Sequence, residues 1–553
     1  MTRRESPATS VVSAHRDSFC RDRLPPEPLL PVLEFSGLPE LAYPERLNCA
    51  VELIDTHLPA AADRVAFYFP GGSWTYAELA ETVDRIARVL VEDLSLIPGN
   101  RVLLRGPNSP WLAACWFAVL KAGGVVVCTM PLLRARELQY IAEKAQIRLA
   151  LTDARFAADC ELAMPESSGK RVVRFGTTGE AGSLEDLLRG KPSGYAACDT
   201  AAEDVALIAF TSGTTGEAKG TMHTHRDLLA CCDCFPPQVL KATADDRFIG
   251  SPPLAFTYGL GGILLFPLRI GASTVLLEQA SPLLLLKGIH EFRATVCFTA
   301  PTAYRAMLPL IAEDPTLDVS CLRRCVSAGE TLPLPTFEAW RAATGLSIID
   351  GLGSTEMLHI FISSSGDDIR PGATGKVVPG YRARVIDANA EEVPRGTLGR
   401  LAVRGPTGCR YLDDSDRQRA YVQDGWNLTG DAYIEDEDGY FWYQARTDDM
   451  IVSSGYNISG PEVESVLLDH PAVHECGVVA APDAERGHVV KAFVVLSSGA
   501  APGEALVKEL QDFVKREIAP YKYPRRIEFV QSLPRTATGK LQRFELRLRE
   551  APR

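Results

Sequence analysis

The chain has 553 residues, of which 46% are hydrophobic and 23% are charged, and its formal net charge is −12 at pH 7. This length exceeds what one hydrophobic core supports, so we expect a globular protein of two or more domains. The acidic balance argues against nucleic acid as the main partner, because phosphate binding normally needs a basic face. No apolar run approaches the roughly 20 residues that span a bilayer, so we expect no membrane segment.

The first 48 residues predict a leader followed by an arm. Arginines and serines recur up to Arg23 without a following apolar segment, which excludes a secretory signal and favours a disordered leader. Residues 25–48 are rich in proline and leucine, which indicates an extended arm.

The 14 cysteines show no spacing of a disulfide framework. Their only cluster, Cys231-Cys232-Asp233-Cys234, has no second Cys/His pair at zinc-finger distance, so we expect no zinc site there. Apolar neighbours surround Cys115, Cys128 and Cys297, which predicts buried free thiols in a reducing compartment. We therefore expect a cytoplasmic protein.

Helix and strand patterns alternate after residue 49. Thr75 and Glu78 have the spacing of a capping box, and the helix that they open has an apolar face formed by Leu79, Val83, Ile86 and Leu90. A second helix is predicted over Trp111–Ala122. Strands are predicted at Arg101–Leu104, Val125–Cys128, Leu149–Thr152 and Val205–Phe210. This alternation predicts an α/β fold with parallel sheets layered between helices.

The same alternation continues beyond residue 270. Strands are predicted at Ala272–Leu277, Ala294–Phe298, Cys325–Ala328 and Ser347–Asp350. The last two lead directly into polar turns that contain glycine. Because ligands of open α/β sheets bind at the carboxyl ends of strands, these turns are expected to border a site.

Beyond residue 380 the pattern changes to that of a smaller barrel-like β subdomain. Its predicted strands are Arg384–Asp387, Gly399–Val403 and Tyr440–Tyr443. A further α+β unit is predicted from helices at Pro461–Leu468 and Glu504–Ile518 and from strands at Cys476–Ala480 and Lys491–Leu496. We therefore predict an N-terminal domain over residues 49–447, with the β subdomain at about 380–447, and a small C-terminal domain over residues 448–553.

The stretch Thr211–Gly220 holds four hydroxyls, three glycines and a lysine directly after a buried strand. Glycine lets backbone N–H groups approach a phosphate closely, hydroxyls donate to its oxygens and lysine offsets its charge. A flexible surface loop of Ser, Thr and Gly is the alternative. The spacing is not that of a Walker loop, so a nucleotide site here belongs to another architecture.

Five further motifs carry polar chemistry, and three of them have a simple structural alternative. Gly351-Leu352-Gly353-Ser354-Thr355-Glu356 offers a hydroxyl and a carboxylate for phosphate and magnesium, or only a helix cap. Trp426–Asp431 places a carboxylate for ribose hydroxyls, or only a turn aspartate. Arg446–Asp449 and the glycine-containing stretch Ser453–Ser459 come next. Pro534–Leu541 contains Lys540, which alone is usually a solvated charge.

In this order, the motifs resemble the adenylate-forming enzyme superfamily of acyl-CoA ligases, stand-alone adenylation domains and firefly-type luciferases. The resemblance covers roughly residues 50 to 545. It implies a large N-terminal domain of two parallel-type sheets with a barrel-like subdomain, followed by a mobile α+β C-terminal domain. Nothing in the chain specifically favours a luciferase-like oxygenase.

The resemblance also implies a role for each matching residue. Lys540, Thr355 and Glu356 would be catalytic, with Glu356 as the Mg2+ ligand, Asp448 would be the hinge, and Ser454, Gly455 and Tyr456 would border the pantetheine tunnel. ATP or AMP would be bound by Thr211, Ser212, Gly213, Thr214, Thr215, Gly216, Lys219, Gly220, Gly329, Glu330, Thr331, Asp350, Gly351, Leu352, Asp431 and Arg446. Many members have an aromatic ring at the position of Leu352, so weaker adenine stacking is expected here.

The acyl pocket is expected to resemble the benzoate and 2-aminobenzoate branch of that family. The expected pocket residues are Phe256, Tyr258, Gly259, Ala328, Gly353 and His359. Glycines near residue 260 would keep the cavity open, and His359 would accept a hydrogen bond from an ortho substituent. The alternative for His359 is a packed histidine on a helix that follows the turn.

The expected function is ATP-dependent activation of benzoate or 2-aminobenzoate and transfer to coenzyme A, with Mg2+ as the metal. The alternative is a stand-alone adenylation enzyme that loads an aryl group onto a carrier protein in trans. The expected partners are the aromatic acid, ATP and coenzyme A, without nucleic acid or membrane. A homodimer is possible and is left open by the sequence.

Overall fold

Two mostly parallel sheets form the large N-terminal part of a computed structural model that describes residues 12–177, 179–211, 218–329, 332, 334–446, 450–534 and 543–550. The smaller sheet contains, in spatial order, the strands Arg171–Phe175, Leu149–Asp153, Arg101–Arg105, Val125–Thr129, Val205–Thr211 and Lys219–Thr224. The first five strands run parallel, and the last pairs antiparallel with Val205–Thr211.

The larger sheet has a parallel centre and antiparallel edges. Its strands, in spatial order, are Lys376–Val377, Ile360–Ser363, Ile348–Gly353, Arg324–Ala328, Val296–Thr299, Arg247–Gly250, Ser273–Val275, Val65–Phe69 and Gly72–Thr75. The two strands at the first edge and the strand at the opposite edge are antiparallel to their neighbours. Parallel strands need covered faces, which the helices supply.

Helices cover both sheets. The α-helices are Phe19–Asp22, Cys49–Leu53, Leu58–Ala61, Tyr76–Glu92, Pro110–Lys121, Ala135–Lys144, Ala157–Ala163, Leu184–Leu187, His225–Phe235, Thr257–Leu260, Phe266–Arg269, Pro282–Phe292, Pro301–Glu313, Leu334–Thr344, Ser415–Tyr421, Gly460–Leu468, Glu504–Glu517 and Arg543–Leu548. Two π-helical turns, Pro236–Leu240 and Gly261–Leu265, extend neighbouring helices. Short 3-10 turns lie at Glu27–Leu29, Pro39–Leu41, Asp55–His57, Ala154–Phe156, Glu166–Ser168, Gly366–Asp368 and Pro520–Lys522. Within the described residues, none of the helices combines the length and the apolar character needed to cross a membrane.

The largest core lies between the two sheets. Side chains of Tyr76–Glu92 and Pro110–Lys121 pack there against residues of both sheets, among them Leu104 and Phe248. Separate cores cover the outer faces, with Leu138 and Ile141 on the smaller sheet. This layered arrangement of helices and parallel sheets confirms the predicted α/β class.

Two smaller β units complete the fold. An antiparallel sheet contains Arg382–Ile386, Leu398–Arg404, Val422–Gln423, Trp426–Glu435 and Phe441–Arg446. The C-terminal part contains the hairpin Met450–Ser453 and Tyr456–Ser459 and a sheet of Val473–Asp483, Gly487–Leu496 and Arg526–Phe529. Its helices pack on that sheet through a core of their own, which includes Val463 and Val514.

Three expectations from the sequence differ from the structure. Residues 12–23 are not a disordered leader, because Phe19 is buried between the guanidinium groups of Arg23 and Arg101. The strand after residue 347 does not end at Asp350 but continues to Gly353 and pairs with Ile360–Ser363. Consequently His359 precedes a strand and does not lie on a helix.

Candidate active site

A large cavity of about 1060 Å³ opens at the carboxyl ends of two neighbouring strands of the larger sheet. Strands Arg324–Ala328 and Ile348–Gly353 are adjacent and parallel, so the residues at their ends lie side by side. The predicted nucleotide residues that line this cavity are Thr211, Lys219, Gly329, Asp350, Gly351, Leu352, Thr355, Glu356 and Asp431. Residues far apart in the chain therefore converge on one space.

Two predicted residues lie in strands beside this cavity. Arg446 pairs with Asp431 across neighbouring strands. Gly220 lies in the strand Lys219–Thr224, so the stretch that begins at Thr211 joins two strands of a hairpin. Asp431 also lies within a long strand, Trp426–Glu435, and its side chain is only slightly exposed.

Glu356 is held as a buried carboxylate by two partners. Its Oε1 atom lies 2.8 Å from Nζ of Lys219 and accepts a hydrogen bond of 2.7 Å from the hydroxyl of Tyr411. Burial alone would raise the pKa of Glu356, but the Lys219 ion pair and the Tyr411 hydrogen bond outweigh it and lower the pKa to about 2. The carboxylate is therefore ionised throughout the physiological pH range.

A buried histidine contacts the backbone carbonyl of Thr355. Nε2 of His223 lies 2.8 Å from the carbonyl oxygen of Thr355, and since a carbonyl only accepts, Nε2 carries the proton. Nδ1 of His223 faces a carboxylate oxygen of Asp227 at 3.8 Å. Asp227 in turn forms a 2.6 Å ion pair with Arg410. These three side chains are buried behind the wall that carries Thr355 and Glu356.

Asp350 brings an unusual carboxyl group into the large cavity. Its Oδ1 atom is buried, and no hydrogen-bond partner reaches it among the described residues. Burial raises the pKa of Asp350 to about 8, while a hydrogen bond from the backbone of Gly351 acts in the opposite direction. A buried polar atom of this kind fits a ligand that supplies the missing partner.

A second cavity, of about 630 Å³, adjoins the first, and we call it the aromatic cavity. Of the six residues predicted for the acyl pocket, Phe256, Tyr258, Ala328, Gly353 and His359 line it. The hydroxyl of Tyr258 donates away from the cavity to the carbonyl oxygens of Thr299 and Val326. Its ring is tilted against the rings of Phe298 and His359, at 5.7 Å and 5.8 Å between centroids.

The glycines near residue 260 serve close packing more than an open cavity. Gly259 does not line the aromatic cavity, and a Cβ there would lie 2.2 Å from the carbonyl oxygen of Pro253. A Cβ on Gly261 would lie 2.4 Å from Cδ2 of His359. These positions let the helical segment approach His359 directly, which corrects the expectation that they widen the pocket.

His359 lines the aromatic cavity with an uncharged ring. It is 3% exposed and is surrounded by the rings of Phe235, Tyr258 and Phe266. Burial lowers the pKa of His359 to about 3, so the ring is uncharged at neutral pH. Nε2 lies 3.3 Å from the carbonyl oxygen of Tyr258, which assigns the proton to Nε2. Nδ1 has no partner within the part of the chain that the structure describes.

The C-terminal hairpin closes the aromatic cavity. Ser454 and Gly455, with φ of 48° and 79°, form the two-residue turn between strands that pair Ser453 with Tyr456. Tyr456 meets Phe256 edge to face at 6.4 Å between ring centroids, and it packs on Tyr521 at 4.2 Å with the two rings tilted by 30°. The predicted tunnel residues Ser454, Gly455 and Tyr456 therefore lie at the aromatic cavity.

Nine predicted site residues lie outside the described residues. They are Ser212, Gly213, Thr214, Thr215, Gly216, Glu330, Thr331, Asp448 and Lys540. Their assignments stay predictions.

Two family profiles together match most of the chain. The profile described as "AMP-binding enzyme" matches residues 54–410, and the profile of the "AMP-binding enzyme C-terminal domain" matches residues 462–540. The chain belongs to the AMP-binding enzyme family. The benzoate–CoA ligase of Thauera aromatica is 37% identical over 514 residues, which are 92% of this chain and 97% of that protein.

Solved structures of this family share the fold. An anthranilate CoA ligase, AuaEII, in complex with anthranoyl-AMP has a TM-score of 0.72 at 35% identity, covering 93% of this chain and 99% of that chain. The amide bond synthetase McbA from Marinactinospora thermotolerans has a TM-score of 0.81 at 29% identity, covering 91% and 99%. The protein is thus an AMP-forming enzyme of the acyl-CoA ligase class.

Sequence reasoning missed Tyr411, His223, Asp227 and Arg410. Tyr411 is 55 positions from Glu356, and no local pattern links the two. His223 lies in an ordinary buried strand, so only its contact with Thr355 reveals a role.

Proposed function

We propose that this enzyme joins a small aromatic carboxylic acid to AMP and then transfers the acyl group to coenzyme A. The main support is that the large cavity and the aromatic cavity share one wall, formed by Thr211, Gly329, Gly353, Ser354 and Thr355. An aryl carboxylate in one cavity would therefore meet the α-phosphate of ATP from the other cavity at that wall.

The predicted nucleotide residues include a chemically matched group for each part of ATP. The stretch from Thr211 to Gly220 would hold the β- and γ-phosphates, and Asp431 with Arg446 would bind the ribose hydroxyls. Gly329, Glu330 and Thr331 would flank one face of the adenine. The buried Oδ1 of Asp350 would accept a hydrogen bond from the exocyclic amino group, with Gly351 and Leu352 along the other face.

Glu356 fits the requirements of a Mg2+ ligand. Its carboxylate is ionised, and no cluster of three or more metal-ligating side chains occurs among the described residues. Mg2+ usually binds one or two carboxylates and completes its shell with phosphates and water. Bound there, the metal would offset phosphate charge.

The first half-reaction joins two anions, so positive charge must be supplied. An oxygen of the aryl carboxylate attacks the α-phosphorus, the bond to the bridging oxygen breaks, and pyrophosphate leaves. Lys540 would stabilise the charge that develops on the α-phosphate, and Thr355 would hold that phosphate. Removing one such positioned group typically costs about 3 kcal/mol of transition-state stabilisation.

We further propose that the favoured acid carries an ortho donor, as 2-aminobenzoate does. His359 is neutral, and its only proton is directed at Tyr258, so Nδ1 can only accept. An ortho amino group would satisfy this buried atom, whereas benzoate would leave it without a partner. The family relationship to benzoate and anthranilate CoA ligases supports the same class of acid.

In the second half-reaction, the thiol sulfur of coenzyme A attacks the acyl carbon and AMP leaves. The turn at Ser454, Gly455 and Tyr456 borders the aromatic cavity, which is where this thiol must arrive. Two other acceptors remain as alternatives, namely a carrier-protein pantetheine and a free amine.

The experiment is an ATP–pyrophosphate exchange screen with aromatic, fatty and amino acids, followed by mass analysis of products. We expect 2-aminobenzoate and benzoate to rank first and to give aryl-CoA only when coenzyme A is present. Preference for a long-chain acid would refute the pocket assignment. Amide formation with added amines, or acylation of a carrier protein but not of coenzyme A, would refute the acceptor.

A further inference from the structure

A buried lysine joins the two parts of the molecule beside the aromatic cavity. Lys522 ends the 3-10 turn Pro520–Lys522 of the C-terminal part. Its Nζ atom lies 2.7 Å from Oε1 of Glu137 and 2.7 Å from Oε1 of Glu462. The side chains of Lys522, Glu137 and Glu462 are only 5%, 9% and 15% exposed, so this contact is well shielded from water.

The two carboxylates come from different parts of the chain. Glu462 lies in the first turn of the helix Gly460–Leu468, in the same C-terminal part as Lys522. Glu137 lies in the helix Ala135–Lys144, which packs on the smaller sheet of the N-terminal part. Its other oxygen, Oε2, accepts a hydrogen bond of 2.9 Å from the backbone N–H of Arg134, which fixes the carboxylate.

Lys522 is also next to the tyrosine rings that border the aromatic cavity. Its neighbour Tyr521 packs on Tyr456 at 4.2 Å between ring centroids, and Tyr456 meets Phe256 of the N-terminal part. Glu137, Glu462, Tyr521 and Lys522 all line the same cavity. A shift of Lys522 away from Glu137 would therefore move the turn that carries Tyr456.

The charge balance makes the contact specific for this arrangement. Burial disfavours the charged form of Lys522, but the carboxylates of Glu462 and Glu137 outweigh it and raise its pKa above the ordinary value. Breaking a buried ion pair by removing one partner is strongly destabilising, because it leaves a charge without compensation. The contact with Glu462 survives any movement of the C-terminal part as a body, whereas the contact with Glu137 does not.

We infer that Glu137 and Lys522 are positioning residues that hold the C-terminal part in the arrangement required for thioester formation. This inference rests on the proposed two-step function. The Glu137–Lys522 pair acts through Tyr521 and Tyr456, and neither residue touches the reacting atoms.

The test measures the rates of the two half-reactions separately in the Glu137→Gln variant. Glutamine can still accept from the Arg134 N–H, so the helix start is kept while the charge is lost. We expect acyl transfer from supplied 2-aminobenzoyl-adenylate to saturating coenzyme A to slow at least about tenfold, equivalent to about 1.4 kcal/mol. ATP–pyrophosphate exchange should fall several-fold less than acyl transfer does, because adenylate formation does not use the contact between Glu137 and Lys522.

Asp469→Asn is the matched control. Asp469 forms a 2.8 Å ion pair with Arg136 across the same boundary, but both side chains are 54% exposed. Exposed pairs contribute little, so we expect acyl transfer to change less than about threefold. Lys522→Arg should retain most of the transfer rate because it keeps the charge, whereas Lys522→Gln should not.

A cross-linking measurement gives a readout that is independent of catalysis. In a chain with Arg136→Cys and Asp469→Cys, a short bismaleimide should link the two new thiols, and adding Glu137→Gln should lower the yield several-fold. Unchanged cross-linking, or equal loss of both half-reactions, would overturn the inference. Absence of exchange with every aromatic acid in the wild type would instead refute the proposed function, while cross-linking would still report on the contact.

Discussion

The contact between His223 and Thr355 yields a sharp prediction about the first half-reaction. In the structure, Nε2–H of His223 is the donor to the carbonyl oxygen of Thr355, at 2.8 Å. His223→Ala removes that donor and leaves the carbonyl in a partly buried place. The Thr355 hydroxyl and the Glu356 carboxylate follow directly on the same backbone, so their placement at the α-phosphate should deteriorate.

The size of the effect follows from the cost of an unsatisfied buried group. A buried acceptor that loses its partner costs about 1–3 kcal/mol. If this cost is felt at the transition state, kcat of adenylate formation should fall about 5- to 150-fold. The KM values for ATP and acid should change much less, because the rest of both cavities is untouched.

Substitution of His223 by glutamine or by asparagine distinguishes positioning of the Thr355 carbonyl from simple filling of space. The amide nitrogen of glutamine is as far from the backbone as Nε2 of histidine, whereas that of asparagine is at the distance of Nδ1. We therefore expect His223→Gln to recover most of kcat in ATP–pyrophosphate exchange and His223→Asn to resemble His223→Ala. Equal activity of the Gln and Asn variants, or a loss that only follows the melting temperature, would refute the reasoning.

Two further predictions concern His359 and Asp350. His359→Leu removes the Nδ1 acceptor, so kcat/KM for 2-aminobenzoate relative to benzoate should fall about three- to tenfold. Competition assays measure this ratio, and an unchanged ratio would contradict the proposed hydrogen bond. Asp350 has a pKa of about 8 in the native state, so between about pH 4 and pH 8 the native state keeps a proton that the unfolded chain has lost, and stability falls as pH rises. Asp350→Asn should therefore raise the melting temperature of the ligand-free protein more at pH 8.5 than at pH 5, whereas an equal shift at both pH values would be inconsistent with that pKa.

Periodic segments of the fold were predictable because local pattern and tertiary burial agree. The capping box at Thr75 and Glu78 forms as the spacing indicates. The helix predicted over Trp111–Ala122 occupies Pro110–Lys121, and the strand predicted over Val125–Cys128 occupies Val125–Thr129. In these segments propensity, hydrophobic period and packing point to the same structure.

The glycine-rich stretches were harder to predict because glycine is typical of both turns and crowded strands. Gly351 lies inside a strand, where a Cβ would come within 2.6 Å of Cδ1 of Ile360. Gly220 also lies in a strand, where a Cβ would lie 3.0 Å from Cγ2 of Ile208 and 3.1 Å from Cζ of Phe210. In both cases the crowding atoms belong to the paired strand. The sequence around each glycine therefore does not show that a side chain would be excluded there.

The prediction of a disordered leader failed because the residues that order this segment are distant in the sequence. Phe19 and Asp17 are ordered by Arg101, whose guanidinium group stacks on the ring and pairs with the carboxylate. A partner more than 80 positions away leaves no trace in local composition. Short polar segments can therefore be ordered when a buried cation of the main fold needs an anion and a ring.

In the proposed function, the choice of acid depends on one proton that the sequence does not reveal. Histidine at position 359 is compatible with a donor, an acceptor or simple packing. The carbonyl of Tyr258 decides among these, because it takes the proton on Nε2, and burial prevents a second proton from binding. The carbonyl of Thr355 likewise requires a proton on Nε2 of His223 and so orients that ring. The proposed substrate preference and the proposed phosphate positioning thus both depend on histidines that backbone carbonyls orient.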